Sequence, residues 1–363
     1  MNGYQIAKYT GSSTTLWLPA YIGGKPVTGI ADNAFKDRTL LTKFVIPDSV
    51  TNIGSDAFYN TGYYNRDSNW QNGVLYIGKY LIKVKDILLG NYEVKSGTLA
   101  IAGHAFSSRA CLTSITIPDS VTSVGDYAFD GCIGLTSIII PGSVTSIGAG
   151  AFCGCTNLTS ITISDGVTSI GDDAFYDTGY YNCDDNWQSG VLYIGKHLID
   201  TKNTLSGNYQ IKSGTLTIAG KAFSGCTNLT SVAIPSSVVS IGDEAFRGCT
   251  GLTNIIVPNG VTSIGDYAFS DCWGLTSITI PDSVISIGYA AFSNCWGLTS
   301  ITIPDGVTSI GEWAFDNCTS LTTIRYGGTV TQWKAISKGD FWADNTGNFV
   351  VYCSDGTIAK DNA

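Results

Sequence analysis

The chain has 363 residues, with 20 Lys and Arg against 29 Asp and Glu and a formal net charge of −9. Charged residues are 13% of the chain, about half the usual share, whereas Ser and Thr together number 76. A net-acidic chain without clusters of Lys and Arg excludes nucleic acid and anionic membrane surfaces as partners. The hydrophobic share of 44% is too high for a disordered chain, and no run approaches the roughly 18 apolar residues of a membrane helix.

Residues 1–34 precede a repeated Ala-Phe dipeptide and are predicted to form an amino-terminal cap and the first unit of a repeat array. They include a longer turn over residues 20–26. A cap is needed because a bare terminal strand would pair with another chain. The first residues, MNGYQIAKYTGSS, lack the basic start and apolar stretch of a signal peptide. The signal of a secreted protein would therefore lie outside this chain.

The Ala-Phe dipeptide recurs at regular intervals. Its Phe residues are Phe35, Phe58, Phe106, Phe129, Phe152, Phe175, Phe223, Phe246, Phe269, Phe292 and Phe315. Successive gaps are 23 or 48, and a gap of 48 equals one regular repeat plus a degenerate one of 25. Residues 35–325 are therefore predicted to be a solenoid, and the whole array to hold about thirteen units of 23–25 residues. A longer period of 117 residues, by which Trp70 returns as Trp187, indicates duplication of a five-unit block.

One unit, read from Leu275, is LTSITIPDSVISIGYAAFSNCWG. Its opening matches the pattern L-x-x-L-x-L on a strand rich in β-branched residues, whose side chains alternate inward and outward. Pro281 begins a turn, because proline lacks the amide that a continuing strand needs, and a second short strand is predicted over residues 284–287. The predicted outward positions are Ser277 and Thr279, and the inward ones are Leu275, Ile278, Ile280, Val284, Ile287, Ala291, Phe292 and Cys295.

A 23-residue unit has too little apolar surface to fold alone, whereas stacked copies bury a shared core. The predicted fold class is a mainly β leucine-rich-repeat solenoid, in which each unit supplies a strand, a short second strand and a turn or 3-10 segment. Because stacked strands lie about 4.8 Å apart, we expect an elongated and shallowly curved array.

The units, written I-P-x-S/G-V-T-S-I-G-x-x-A-F-x-x-C-x-x-L, resemble the BspA-type leucine-rich repeats of bacterial surface proteins over nearly the whole chain. The opening TTLWLPAYIGGKPVTGIADNAF is similar to the first unit of that family, and YGGTVTQWKAISKG…VVYCSDGTI to a common closing segment. Known members are adhesins that bind host matrix proteins, such as fibronectin and fibrinogen, or other bacteria. The resemblance therefore implies adhesion at the cell surface or as a secreted protein.

Two interruptions of the array span about 59–104 and 176–221. Each holds an aromatic loop, YNTGYYNRDSNW or YDTGYYNCDDNW, followed by VLYIGKYLI or VLYIGKHLI, which is predicted to be a hairpin across Gly-Lys. These loops are either spacers whose rings cover the core or paired contact sites on one edge. The contact residues would be Tyr63, Tyr64, Trp70, Tyr180, Tyr181 and Trp187.

Residues 326–363 leave the repeat and are predicted to be a closing cap. A short helix is expected over residues 331–337, with Trp333 and Ile336 on one side. A last strand is expected over residues 349–353.

The 11 cysteines are an odd number, and seven of them lie three residues after a repeat Phe. These seven are Cys132, Cys155, Cys226, Cys249, Cys272, Cys295 and Cys318. They predict a buried ladder of free thiols in a column that takes a small apolar side chain. Parallel Cβ vectors disfavour disulfides, and a straight column cannot surround a zinc ion with four ligands. Cys153 and Cys183 lie off the column and are candidates for exposed thiols.

Nothing in the sequence indicates an enzyme or a cofactor. The two histidines, His104 and His197, correspond to Lys221 and Tyr80 in the 117-residue duplicate, so the halves share no general base. Walker, H-E-x-x-H, nucleophile-elbow and dinucleotide motifs are missing from the sequence. Two interrupted acidic columns could collect calcium, although their turn residues ordinarily bind their own backbone, and we expect no metal. These columns are Asp119, Asp165, Asp282 and Asp305, and Asp126, Asp172, Asp243, Asp266 and Glu312.

The outward hydroxyls form rows along the strand face. One row is Ser114, Ser137, Ser160, Ser231, Ser277 and Ser300, and beside it lie Thr116, Thr162, Thr279 and Thr302. They either solubilise a face without charge or form a broad contact surface for a protein or glycan. Trp273 and Trp296 follow successive column cysteines and should stack as adjacent exposed rings.

The favoured interpretation is a non-enzymatic protein-binding or adhesion module that recognises host or bacterial surface macromolecules through its repeat face. The expected partner is an extracellular matrix or cell-surface protein, or a glycan, and neither nucleic acid nor membrane insertion of this segment is expected. We expect a monomer. The alternatives are a carbohydrate-binding solenoid and a structural spacer that presents other domains.

Overall fold

The computed structural model describes residues 3–86 and 90–360. The predicted fold class is confirmed: the chain is a mainly β solenoid of about 15 turns with a repeat of about 23 residues and little helix. Its contacts divide it into two compact units, which we call the amino-terminal unit (Met1–Val167 with Asp173–Asn186) and the carboxy-terminal unit (Thr168–Asp172 with Trp187–Ala363). The domain boundaries predicted at 34 and 325 stay a prediction.

The amino-terminal unit contains paired short strands and two 3-10 helices, Asp67–Asn69 and Asp184–Asn186. Its strands are β1 (Tyr4–Ile6), β2 (Thr15–Trp17), β3 (Tyr21–Ile22), β4 (Lys25–Ile30), β5 (Lys43–Val45), β6 (Asn52–Ile53), β7 (Trp70–Gln71), β8 (Val74–Ile77), β9 (Tyr80–Val84), β10 (Gly90–Glu93), β11 (Ala100–Ile101), β12 (Leu112–Thr116), β13 (Ser123–Val124), β14 (Ser137–Ile140), β15 (Ser146–Ile147) and β16 (Ser160–Ile163).

The carboxy-terminal unit continues the same pattern and contains the helix α1 (Val330–Ala335). Its strands are β17 (Ser169–Ile170), β18 (Trp187–Gln188), β19 (Val191–Ile194), β20 (His197–Thr201), β21 (Gly207–Gln210), β22 (Thr217–Ile218), β23 (Leu229–Ala233), β24 (Ser240–Ile241), β25 (Asn254–Ile256), β26 (Ser263–Ile264), β27 (Ser277–Thr279), β28 (Ser286–Ile287), β29 (Ser300–Ile303), β30 (Ser309–Ile310), β31 (Thr323–Tyr326), β32 (Ser337–Lys338), β33 (Val350–Cys353) and β34 (Gly356–Ala359). Within the described residues, none of the helices has the length and apolarity needed to cross a bilayer.

Parallel pairing between successive turns is most extensive in two sheets of the carboxy-terminal unit, and β20, β22 and β24 pair in parallel in a third. In the first, β21, β23, β25, β27, β29, β31 and β33 lie side by side, and Ser277 pairs with Ser300 across β27 and β29. In the second, β26, β28, β30 and β32 pair in the same way. The regular turns of this unit therefore contribute one strand to the first sheet and a short second strand to one of the other two, and the apolar side chains between them form the core.

The predicted inward and outward positions of the unit from Leu275 are confirmed. Its eight inward side chains are buried, and Ser277 and Thr279 are exposed. The second strand is shorter than predicted, because β28 covers only Ser286–Ile287. Val284 is still part of the turn, where its N–H donates to the carbonyl of Pro281 at 3.1 Å. Because Val284 is an apolar inward residue, the sequence pattern predicts it as part of the strand, although its backbone does not belong to β28.

The repeat Phe residues stack in a column through the core. Phe246, Phe269 and Phe292 are fully buried, with ring centroids 5.4 and 5.5 Å apart and nearly parallel planes. Tyr9 packs on Phe35 and Trp342 packs on Phe315, each at 6.1 Å. The structure has about 15 turns, where about thirteen units were predicted.

Glycine in the I-G motif is required by the close approach of successive turns. A Cβ on Gly288 would lie 2.5 Å from Asp266 Oδ1 and 2.7 Å from the carbonyl carbon of Gly265. Only the absence of a side chain permits this spacing.

Both caps close with hairpins. Residues 20–26, predicted as a longer turn, form a tight hairpin instead, in which β3 and β4 pair antiparallel across Gly23 and Gly24. At the other end, the helix α1 buries Trp333, and Thr329 with Gln332 forms a capping box at its start. The strand predicted over residues 349–353 is present as β33, but it is not the last, since β34 follows it across a tight turn and pairs antiparallel. The turn consists of Ser354 and Asp355, and the sequence analysis did not predict it.

Candidate functional site

The predicted hydroxyl rows lie on the outer face of the strands, as expected. In the carboxy-terminal unit, Ser277 and Thr279 on β27 lie directly beside Ser300 and Thr302 on β29. These four hydroxyls have no hydrogen-bond partner within the part of the chain that the structure describes. Ser231, on β23, instead donates to Oδ1 of Asn208 at 2.8 Å. The face therefore offers free donors and acceptors on two adjacent strands.

Many other hydroxyls serve the solenoid itself. Thr276 Oγ1 donates to the carbonyl of Thr253 at 3.0 Å, and Thr299 and Thr322 repeat this bond to the preceding turn. Ser283 Oγ donates in the same way to the carbonyl of Val261 at 2.7 Å. The many Ser and Thr residues therefore fall into two sets. The hydroxyls of one set bond to the preceding turn, and those of the other are available at the surface.

The amino-terminal unit presents the corresponding rows in its own strands. Ser137 and Ser160 pair across β14 and β16, with Thr162 beside them, and Ser114 and Thr116 lie outward on β12. Ile139 interrupts the Thr row and is 68% exposed. Ile256, which is 117 residues later, is 66% exposed on β25. Each unit therefore carries an exposed isoleucine beside a threonine of the outward row, Ile139 beside Thr162 and Ile256 beside Thr279.

The first aromatic loop holds both structural and accessible rings. Tyr63 has a structural role, because its hydroxyl donates to the carbonyl of Tyr76 at 3.0 Å and its ring contacts Phe44 edge-on. Burial raises the pKa of Tyr63 and of Tyr64. Trp70 Nε1 donates to the carbonyl of Tyr64 at 2.7 Å, and the two rings meet at 5.1 Å. Tyr64 and Trp70 also line a cavity of about 570 Å³.

The second aromatic loop is divided between the units. Tyr180 and Tyr181 are half-buried in the amino-terminal unit, where Tyr181 meets the ring of Tyr176 at 5.2 Å. Trp187 lies on β18 of the carboxy-terminal unit, with Nζ of Lys202 at 5.2 Å from its ring centroid. The hairpins predicted across Gly-Lys are confirmed in both copies, as β8 with β9 and β19 with β20.

Trp273 and Trp296 stack as predicted. Their ring centroids lie 5.0 Å apart with an interplanar angle of 3°, and the residues are 47% and 48% exposed. The pair offers aromatic surface beside the strand face of the same unit.

Comparison with known proteins identifies the repeat. The model of the BspA type leucine rich repeat region matches six copies over residues 22–89, 76–206 and 216–337. The chain belongs to this family. A leucine rich cell surface protein from Faecalibacterium prausnitzii is 32% identical, with 93% of each chain covered and a TM-score of 0.42. A leucine-rich repeat protein from Bacteroides ovatus is 22% identical, with 93% of this chain and 84% of that chain covered and a TM-score of 0.32. The pneumococcal vaccine antigen PcpA is 15% identical, with 95% and 71% covered and a TM-score of 0.33. No curated protein sequence matches.

The column cysteines of these BspA-type repeats are buried hydrogen-bond donors. All seven are fully buried, and Cys295 Sγ lies 3.1 Å from the carbonyl oxygen of Phe269, in the preceding turn. Five others make the same contact at 3.1 or 3.2 Å, whereas Cys226 contacts the hydroxyl of Thr201. Burial raises the pKa of Cys132 to about 12, so the column remains protonated and able to donate. The sequence pattern predicted the burial but missed the donor role.

Other cysteines lie outside the column. Cys183 is exposed, as predicted, and Cys153 is only half-buried. Cys111 is also exposed, which the sequence pattern did not indicate.

The histidines and the second acidic column have structural partners in the BspA-type turns. His197 is fully buried, with Nδ1 2.8 Å from Thr217 Oγ1, and His104 Nδ1 lies 2.7 Å from Ser55 Oγ. Asp266 Oδ1 accepts the N–H of Tyr289, one turn later, at 2.7 Å. Within the described residues, no group of three or more His, Cys, Asp or Glu is arranged to hold a metal ion.

Proposed function

We propose that this chain is a non-enzymatic protein-binding module of a bacterial cell-surface or secreted protein. Membership of the BspA-type family supports this proposal, as does the 32% identity to a protein named as a cell surface protein. The partner is an extended segment of an extracellular matrix or cell-surface protein, bound across the strand face. We further propose that the module acts as a monomer.

The observation that carries the proposal is the set of free hydroxyls beside an exposed apolar side chain. Ser277, Thr279, Ser300 and Thr302 have no partner among the described residues, although hydroxyls elsewhere in the same turns bond to the preceding turn. Ile256 lies one strand away, on β25. Interfaces combine such an apolar centre with polar groups that form about one hydrogen bond per 100–200 Å².

The test uses surface plasmon resonance with immobilised fibronectin and fibrinogen. The variant Thr279→Glu/Thr302→Glu places two carboxylates side by side on the proposed face, and we expect binding to fall at least tenfold. Ser263→Glu/Ser286→Glu is the matched control, because these residues also pair across adjacent strands, β26 and β28, on the other sheet. Equal loss in both variants would contradict the assignment of the face.

Carbohydrate binding is a second candidate, favoured by the stacked Trp273 and Trp296. Aromatic rings with free faces or edges are common anchors in recognition sites. A glycan array run with the protein and with Trp273→Ala/Trp296→Ala tests it. The absence of binding on both the glycan array and a matrix-protein array would favour the alternative that the chain is a structural spacer presenting other domains.

A further inference from the structure

A cavity of about 570 Å³ opens where the first interruption meets the next turn of the amino-terminal unit. Small-molecule sites range from about 300 to 1,000 Å³. Its wall includes the aromatic loop residues Tyr64 and Trp70, and the charged residues Lys83, Asp86 and Arg109. The position therefore combines aromatic surface with both signs of charge.

Lys83 is a partly buried cation without an acidic partner. Its Nζ donates to the carbonyl oxygen of His104 at 2.8 Å, and no carboxylate of the described residues lies within ion-pair distance. Asp56, whose charge acts on it from further away, pairs with Lys36 at 3.6 Å. Burying an ammonium without a counter-ion is unfavourable, so an anion that enters the cavity gains a favourable interaction with Lys83.

Arg109 supplies a second cation that is held in place. It occupies the position three residues after Phe106, where most turns have the column cysteine, and its side chain is only 13% exposed. The guanidinium pairs with Asp86, and Nε donates to the carbonyl of Ser107 at 3.0 Å. A guanidinium fixed in this way presents its remaining N–H groups in a rigid fork that suits a carboxylate.

The aromatic wall suits the apolar face of a sugar ring. The Nε1 bond to Tyr64 fixes the Trp70 ring, and Nζ of Lys85 lies 4.5 Å from its centroid. The Lys85 side chain is 43% exposed, and its Nζ also lies 3.4 Å from Oδ1 of Asp67, so a ligand can displace it toward that carboxylate. Asn65 and Asp67 line the same cavity and offer hydrogen bonds to hydroxyl groups.

The internal duplicate shows which of these features belong to the common scaffold. At a spacing of 117 residues, Tyr64 and Trp70 return as Tyr181 and Trp187, so the aromatic pair is shared. The charges differ, because the residues corresponding to Lys83, Asp86 and Arg109 are Asp200, Asn203 and Cys226. The cations Lys83 and Arg109 are therefore particular to the first copy and are not required by the turn, whereas Lys85 returns as Lys202.

We propose that this cavity binds a saccharide that carries a carboxylate, with Lys83 and Arg109 on the carboxylate and Trp70 against the sugar ring. The cavity shares no residue with the strand face of Ser277, Thr279, Ser300 and Thr302 that carries the proposed protein-binding function. Failure of one proposal therefore leaves the other open.

Isothermal titration calorimetry with two matched pairs of probes tests the proposal. The pairs are 3′-sialyllactose with lactose, and glucuronate with glucose. We expect the acidic member of at least one pair to bind at least tenfold more tightly than its neutral partner. Lys83→Met should remove that preference, and Trp70→Ala should weaken the acidic saccharide at least tenfold. Acetate, a carboxylate without a sugar ring, should show no saturable binding.

Lys202→Met is the control, because Lys202 corresponds to Lys85 in the hairpin of the second copy, lies over Trp187 and does not line this cavity, so its loss should not affect binding. Arg109→Gln provides a second test if Lys83→Met fails to give the native circular dichroism spectrum and melting curve. The proposal is overturned by the absence of saturable binding of both acidic saccharides at millimolar concentration. It is also overturned if the acidic and neutral members of both pairs bind with equal affinity. The same holds if Lys202→Met loses as much affinity for the acidic saccharide as Lys83→Met does.

Discussion

Replacement of Cys295 tests whether the cysteine column is needed for its thiol or only for its size. Cys295 Sγ lies 3.1 Å from the carbonyl oxygen of Phe269, which also accepts the N–H of Cys272 at 3.3 Å. The thiol therefore satisfies the second lone pair of a buried carbonyl. Cys295 itself is fully buried, and burial raises its pKa well above the ordinary value, so the group stays a donor.

The magnitude follows from two contributions. Burial of a group the size of a methylene contributes about 0.8 kcal/mol, and a hydrogen bond contributes about 0.5–1.5 kcal/mol. Cys295→Ala loses both and should reduce the free energy of unfolding by about 1.5–2 kcal/mol. Cys295→Ser keeps the donor and should cost less than about 1 kcal/mol. Cys295→Val removes the donor and overfills the site, and should cost about 1–3 kcal/mol.

A hydroxyl is expected to be tolerated because the column already contains two. Thr61 and Thr178 follow their Phe residues by three positions, are fully buried, and donate to the carbonyl oxygens of Phe58 and Phe175, both at 2.9 Å.

Urea unfolding of the three variants, followed by circular dichroism and tryptophan fluorescence, gives the order of stability. We expect the serine variant to lose less stability than either the alanine or the valine variant, with unchanged dependence on urea concentration. A serine variant less stable than the alanine variant, or a valine variant as stable as the natural chain, would refute the donor role. The column would then need only apolar volume.

Three further predictions concern the same framework. Gly288→Ala should cost about 3 kcal/mol in urea unfolding, because the new Cβ would overlap Asp266 and the backbone of the neighbouring turn, and a neutral effect would contradict this close approach. Burial raises the pKa of the Asp243 carboxyl above its ordinary 3.8, so the folded protein binds this proton more tightly than the unfolded chain does. The free energy of unfolding therefore decreases as the pH rises from 3.8 to the raised pKa. Asp243→Asn should therefore flatten the pH dependence of the unfolding free energy in that range, and an unchanged slope would argue against the shift. In the native protein, a thiol reagent should label the exposed Cys111 and Cys183 quickly and the seven column cysteines only after unfolding, whereas rapid labelling of seven or more thiols would rule out the buried ladder.

The period of the sequence determines most of the fold, because stacking repeats one set of contacts in every turn. Leu275, Ile278 and Phe292 were recognised as core from spacing alone, and all are buried. The ends of the strands are less predictable where a buried residue is not part of a strand, as at Val284. The strand β34 was missed because the closing segment follows no period, and only a two-residue turn signal precedes it.

The candidate sites were less predictable because a row of hydroxyls in a sequence does not show which ones are bonded. Thr276 and Thr279 look equivalent on the strand from Leu275, yet Thr276 donates to the preceding turn and Thr279 is free within the described residues. Likewise, Tyr63 and Tyr64 are neighbours in one aromatic loop, but only Tyr64 lines the cavity. The charged wall of that cavity joins Lys83 and Arg109, which lie 26 residues apart and in different turns, so no local motif could have connected them.

The duplication separates framework from function in a way that one copy could not. Side chains with the same structural contacts in both copies are retained: Thr61 and Thr178 make the same bond, and Tyr76 and Tyr193 each meet a second tyrosine hydroxyl. Substitution there would disturb the core, so these positions were held in both copies. Lys83 and Arg109 have no such structural role, because the second copy has Asp200 and Cys226 in their places and still forms the same hairpin.

Divergence in the charged residues of the cavity wall is expected when two copies share a scaffold but not a ligand. The second copy, with Asp200 and without a guanidinium, should therefore show no preference for carboxylate-bearing saccharides, even though its aromatic pair is intact.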